Sequence, residues 1–211
     1  MTHYAQLWLF FLLVLGIVAL PGLDMAFVLG STLAGGRKRG MAAVAGIVAG
    51  GACHVLMTGL GISMLIRWVP GAYNVLLITG ALYIVWIGGS LLRSKEPLGL
   101  RATDGARDGR EAFRQGLVTC LLNPKAYLFM LAVFPQFLRP QYGLIWVQAV
   151  AMWAIIAISQ ACVYGGMALV ADRARRWLQC KPAANLAATR LVGGLLVAIG
   201  LLTCLEGWRI P

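Results

Sequence analysis

The sequence predicts an all-α polytopic membrane protein with six transmembrane helices arranged as two inverted three-helix repeats, the first helix of each half broken at a proline. Three observations carry that prediction. Hydrophobic residues make up 60% of the 211 positions and charged residues 12%, with a mean hydropathy of +0.81, whereas soluble domains carry about 25% charged residues. Six apolar stretches lie near residues 5–31, 40–66, 70–92, 115–138, 144–171 and 191–207. Most of them reach the roughly 20 residues that a hydrocarbon core about 30 Å thick requires. Finally, fourteen of the eighteen basic residues fall in the connections 32–39, 93–114 and 172–190.

That one-sided bias is the positive-inside pattern, and it accounts for a net charge of +11 without a nucleic-acid partner. It puts the three basic connections in the cytoplasm and both termini outside. Arg67, Arg139 and Arg209 fall on the other side, and Lys125 falls inside a span. Trp8, Trp68, Tyr73, Tyr142, Trp146 and Trp208 sit near the outer ends, where amphipathic rings anchor at the interface. The stretch Arg101 to Arg114, with Gly105 and Gly109, reads as a mobile solvated loop. The whole chain, 1–211, reads as one membrane domain, with half-repeats of about 1–92 and 113–211 around a cytoplasmic loop 93–112.

The first span, "ALPGLDMAFVLG", is interrupted by Pro21, Gly22 and Asp24. No Lys or Arg precedes Arg37, so a first segment that re-emerges on the cytoplasmic side, leaving five spans, stays open. A basic start and short apolar core are absent, which argues against a signal peptide. Proline removes an amide donor inside a helix, and broken backbone survives in lipid only when buried in protein or lining a wet cavity. A carboxylate at depth costs about 2.5–3.5 kcal/mol even on the gentlest scale. Asp24 is the only acidic residue among the first ninety-five.

In the second span Ala42, Gly46, Gly50, His54 and Thr58 share one face at four-residue spacing. Small residues there allow close helix approach. His54 thus points into the bundle, either as a neutral imidazole bonded to a carbonyl or as a proton-coupling residue. The third span, "GALYIVWIGG", resembles "GGLLVAIGLL" in the sixth, as a repeat would. Gly88 with Gly89, Gly165 with Gly166 and Gly193 with Gly194 read as packing contacts.

The fourth span repeats the interruption. "CLLNPKAYLF" places Asn123, Pro124 and Lys125 inside it. Three spans is an odd number, so a second copy of the half inserts upside down, and paired breaks in corresponding helices point to a midplane site in transporters. Asp24 lies thirteen residues from Arg37 and Lys125 eleven from Arg114, depths of roughly 20 and 16 Å in continuous helix. Opposite charges at matched depth suit a zwitterionic amino acid: Lys125 for its carboxylate, Asp24 for its ammonium. A plain Asp24–Lys125 ion pair that fixes packing is the structural alternative.

Cys53, Cys120, Cys162 and Cys204 lie in apolar spans and Cys180 in a cytoplasmic connection, with no C-x-x-C spacing. Neither a disulfide nor a structural zinc is expected. An intramembrane hydrolase would need a nucleophile with a base or a metal. Ser31 and Ser63 have no evident base, and His3 is terminal. A metal-ion transporter would find few ligands and be repelled by Lys125. No enzyme activity and no cofactor are expected. A scaffold or an exporter of another small solute or cation remains the alternative to an amino-acid transporter.

"LPGLDMAFVLGSTLAGGRKRGMAAVAGIVAG" followed by "FRQGLVTCLLNPKAYLFMLAVFPQF" resembles the LysE/RhtB family of bacterial amino-acid exporters over essentially the whole chain, most of all its threonine, homoserine and leucine efflux members. The resemblance implies a six-helix inner-membrane secondary exporter of amino acids or close derivatives, an antiporter coupled to the proton gradient. The family's P-G-x-D motif falls on Pro21, Gly22 and Asp24, and its N-P-K motif on Asn123, Pro124 and Lys125. Leu23 stands where the family often has proline. Partners are then an amino acid, protons and the lipid bilayer, with no nucleic acid; homo-oligomerisation is left open.

Overall fold

The computed structural model describes residues 3–59, 70–93, 105–179 and 182–209. Ser63, Arg67, Trp68, Arg101 and Cys180 lie outside them. Among the described residues every regular element is helical. The order is α1 (His3–Ala19), α2 (Leu23–Gly59), α3 (Pro70–Arg93), α4 (Gly105–Leu121), α5 (Pro124–Ala132), two 3₁₀ turns (Phe134–Phe137 and Pro140–Tyr142), α6 (Ile145–Gln179) and α7 (Pro182–Arg209).

Length and apolarity let α2 and α6 each cross a bilayer. A third crossing results if Asp108–Leu121 and Pro124–Phe137, bent by 50° at their break, count as one span. Tyr4–Ala19, Ala81–Ser90 and Gly193–Leu202 are shorter apolar helices. The outward faces are as apolar as the inward ones: Leu12, Trp86, Val170 and Leu202 are all more than half exposed. Helices hydrophobic all round belong in a bilayer. The protein is a helical membrane protein.

The sequence pattern sets the packing. Phe10, Val14 and Val18 recur every four residues on α1 and are buried. Phe10 meets the rings of Phe129, Phe134 and Phe137 at centroid distances of 5.8, 6.2 and 5.1 Å. Where α2 crosses α4, a Cβ on Gly116 would sit 2.5 Å from Ala43 O and one on Gly50 2.6 Å from Cys120 Cβ. Only glycine lets these backbones approach so closely. The crossing of α3 with α7 uses Gly88 and Gly193 the same way, each within 3.0 Å of the other's carbonyl once a Cβ is added. Their neighbours Gly89 and Gly194, like Gly166, face open space, so only one glycine of each pair serves packing there.

The described residues of all three expected connections are helical instead: 172–179 continue α6 and 182–190 begin α7. Residues 32–39 continue α2, broken only at Gly36, whose φ of 77° and ψ of −171° suit glycine alone. The described part of the stretch read as a mobile loop, from Gly105 onward, is the start of α4. Asp108 in its first turn complements the helix dipole, Gln115 donates to Glu111 at 3.0 Å, and Ala112 is buried. The basic segments meet at one end of the bundle: Arg37 N donates to Asp172 Oδ1 at 3.0 Å, Arg39 pairs with Asp108, and Arg176 pairs with Asp172 at 3.4 Å.

Candidate functional site

At each break the proline itself removes the helical donor of the carbonyl four residues back. The N–H of residue 21 would have bonded Ile17 O, and that of residue 124 would have bonded Cys120 O, but proline has none. The last bond of α1 is Leu20 N to Gly16 O at 3.2 Å, and helix resumes with Ala26 N to Gly22 O at 3.0 Å. The orphaned Ile17 O is taken by the Lys125 ammonium, which donates to it at 2.8 Å and to Leu20 O at 3.0 Å. Gly22 leaves room for it: a Cβ there would lie 3.3 Å from Nζ.

The second break is finished from the other direction. Cys120 O accepts from Asn123 N at 3.1 Å and lies 3.0 Å from His54 Nε2 of α2. A carbonyl only accepts, so the imidazole carries its proton on Nε2. The His54 ring stands edge-on to Tyr127 at 4.5 Å between centroids. Asn123 caps α5, its Oδ1 accepting from Lys125 N at 3.1 Å, with Pro124 in the first turn. That bond fixes the amide so that Nδ2 faces away from the cap.

Asp24 lies in the first turn of α2, where free amides and the helix dipole favour a carboxylate. It is 4% exposed, and its Oδ1 has no hydrogen-bond partner. No hydrogen bond or ion pair joins it to Lys125, although the Lys125 charge acts on it and the Asn123 side chain lies close enough to act on it as a hydrogen-bonding group. Buried polar groups are nearly always satisfied. Asp24 Oδ1, Asn123 Nδ2 and Gln160 Oε1 are unsatisfied together, around one space.

That space is a cavity of about 50 Å³ whose walls include Asp24, His54, Asn123 and Lys125. Pro21, Gly22 and Pro124 shape the breaks beside it without lining it; Pro21 is exposed and Pro124 buried. Apolar walls come from Val14, Phe129, Met130 and Ile156. The structure adds Gln160 and Tyr164, one turn apart on α6, together with Gly51 and Cys120. The signal for Gln160 was present in the sequence: a lone amide within "AIIAISQACVY". Among the described residues no group of three His, Cys, Asp or Glu side chains is gathered to hold a metal ion.

A helical membrane bundle with a buried polar cavity at two helix breaks defines a protein of the membrane-transporter class. The profile of the LysE type translocators matches residues 14–207, and the chain belongs to that family. It is 27% identical over 198 residues to an uncharacterized membrane protein of Vibrio cholerae, covering 93% of this chain and 96% of the relative. It is 26% identical to the homoserine/homoserine lactone efflux protein of Salmonella typhimurium, over 92% and 94% of the two chains. A leucine efflux protein of an Enterobacter strain is 35% identical over 58% of each chain. No solved structure matches. Family and relatives alike point to a transporter rather than an enzyme.

Proposed function

We propose that this protein is a secondary active exporter of amino acids or close derivatives across the bacterial inner membrane, coupled to protons. Six spans in two inverted halves, with the basic connections cytoplasmic, complete the reading. One observation carries it: a buried carboxylate with an unsatisfied oxygen, a buried amide donor and an ammonium share a cavity flanked by two proline breaks. Asp24 takes the substrate ammonium or the coupling proton. Lys125 has two N–H groups on Ile17 O and Leu20 O, so its third, with Asn123 Nδ2, meets the carboxylate. His54, already donating from Nε2, accepts a coupling proton at Nδ1. Relatives named for homoserine and leucine efflux support the substrate class.

The test is flux from proteoliposomes holding leucine, homoserine, threonine or a basic amino acid, with and without a pH gradient. Movement of one or more, accelerated by the gradient, is expected; no movement of any sinks the reading. A second reading has a specific motive, because one relative's name includes homoserine lactone. A lactone has an ammonium but no free carboxylate, so flux of the lactone that survives Lys125→Arg while amino-acid flux falls would favour it. Sidedness has its own measurement. Cysteines at positions 33–38 and 95–110 should react with an impermeant reagent only from the cytoplasm, and a cysteine at position 3 only from outside.

A further inference from the structure

Among the described residues a second cavity is larger than the one at the proline breaks. It holds about 240 Å³ against about 50 Å³ and lies between the first half of α2, α3, α4 and Leu196 of α7. Phe27, Gly30, Ser31 and Ala34 line it, a single face of α2 at i, i+3, i+4 and i+7. That face begins one turn after Asp24. Its basic end carries Arg39 and Glu111, and each charge is only partly used. Arg39 gives Nη1 to Asp108 while its Nε is buried without a partner. Glu111 accepts from Gln115 through Oε1 at 3.0 Å, which leaves Oε2 for another donor.

Size separates the two cavities. The central one has about a fifth of the volume of the larger one. The larger one has room for an amino acid the size of leucine. It also offers opposite charges, the Ser31 hydroxyl and the Gln115 amide beside the apolar Phe27, Ala34 and Trp86. From Ser31 back to Asp24 is seven residues of one helix, about 10 Å.

We propose that this cavity is a second, staging site that holds a zwitterionic amino acid on its way from the basic end to the central cavity, with Arg39 meeting the carboxylate and Glu111 the ammonium. The proposal rests on the exporter reading. In this arrangement a substrate is selected for both poles before the central cavity expands to admit it. The first half of α2 forms a wall of both sites, so occupancy of one bears directly on the other.

Ala34→Cys puts a thiol on the wall of the staging site. In the full-length protein in proteoliposomes, L-leucine or L-homoserine should slow maleimide modification of that thiol at least about threefold, followed by mass spectrometry to separate it from native cysteines. Protection should persist when Asp24→Asn is added, and Glu111→Gln should raise the protecting concentration about tenfold. Protection that vanishes with Asp24→Asn, or that ignores Glu111→Gln, overturns the staging site. Transport supplies a second measurement that does not need the thiol. Glu111→Gln should raise the half-saturating concentration about tenfold for substrate presented at the basic end and leave it unchanged at the opposite side; an equal rise at both sides overturns the proposal. Wild-type protein that moves neither amino acid removes the exporter reading as well, whereas flux without protection at position 34 removes the staging site alone.

Discussion

The breaks at Pro21 and Pro124 begin from the same chemical fault and are repaired differently. At Pro21 the stranded carbonyl is met by a long, charged, flexible side chain that also reaches Leu20 O. At Pro124 it is met by a compact ring, helped by the local Asn123 amide. The first repair depends wholly on residue 125, while the second is shared. A cation at the first break also sits where the lone Asp24 carboxylate can feel it. The difference teaches that Lys125 is positioned at both ends, by Asn123 at its backbone and by α1 at its tip, so its remaining donor is held in place rather than free to swing.

The largest effect should therefore come from Lys125. Lys125→Met leaves two carbonyls and Asp24 without a cation and should cost about 2–4 kcal/mol of stability, seen as lost folded yield. Asp24→Asn should fold near normally yet lower amino-acid export about a hundredfold, since it removes a carboxylate that makes no ion pair and has one oxygen without a hydrogen-bond partner. A double variant that folds and exports like wild type would remove the site assignment; one that folds and cannot export supports it.

At the second break the effect should be smaller. His54→Phe costs about 1–2 kcal/mol, because Asn123 N still serves Cys120 O. His54→Gln can restore a donor and most of the folded yield, but should abolish acceleration by a pH gradient. Retained acceleration in a folded His54→Gln protein would move the coupling proton to Asp24.

Smallest of all should be the changes at the prolines themselves. Alanine at 21 or 124 supplies the missing N–H and should raise stability by about 1 kcal/mol or less while slowing export. Pro21→Ala should matter more, because its new N–H competes with Lys125 for Ile17 O. Unimpaired export by the double alanine variant would reduce both breaks to ordinary kinks.

Much of this was legible in the residues. Proline inside an apolar run, a charge nearby and a histidine on a small-residue face are local signals, and the structure puts Asp24, His54, Asn123 and Lys125 around one cavity. What the sequence could not show is which carbonyls those side chains finish, because the pairings join residues 108 and 66 positions apart. The Gly35–Gly36 pair followed by three basic residues looks like a connection. A single glycine in the left-handed region nevertheless lets helix run on both sides of it. Gln160 was overlooked because a neutral amide in a span attracts less notice than a charge, although its unsatisfied oxygen marks it as clearly.

The crossed repairs also bear on how the chain is made. Ile17 O in the first half is completed by Lys125 of the second, and Cys120 O in the second by His54 of the first. During synthesis from the N-terminus, the first broken helix therefore reaches the bilayer more than a hundred residues before its cap exists. A bare carbonyl is costly in hydrocarbon. The newborn first half must keep that end in water or against the insertion machinery until residue 125 arrives, so this half cannot mature as an independent unit. Assembly of the bundle waits on the lysine.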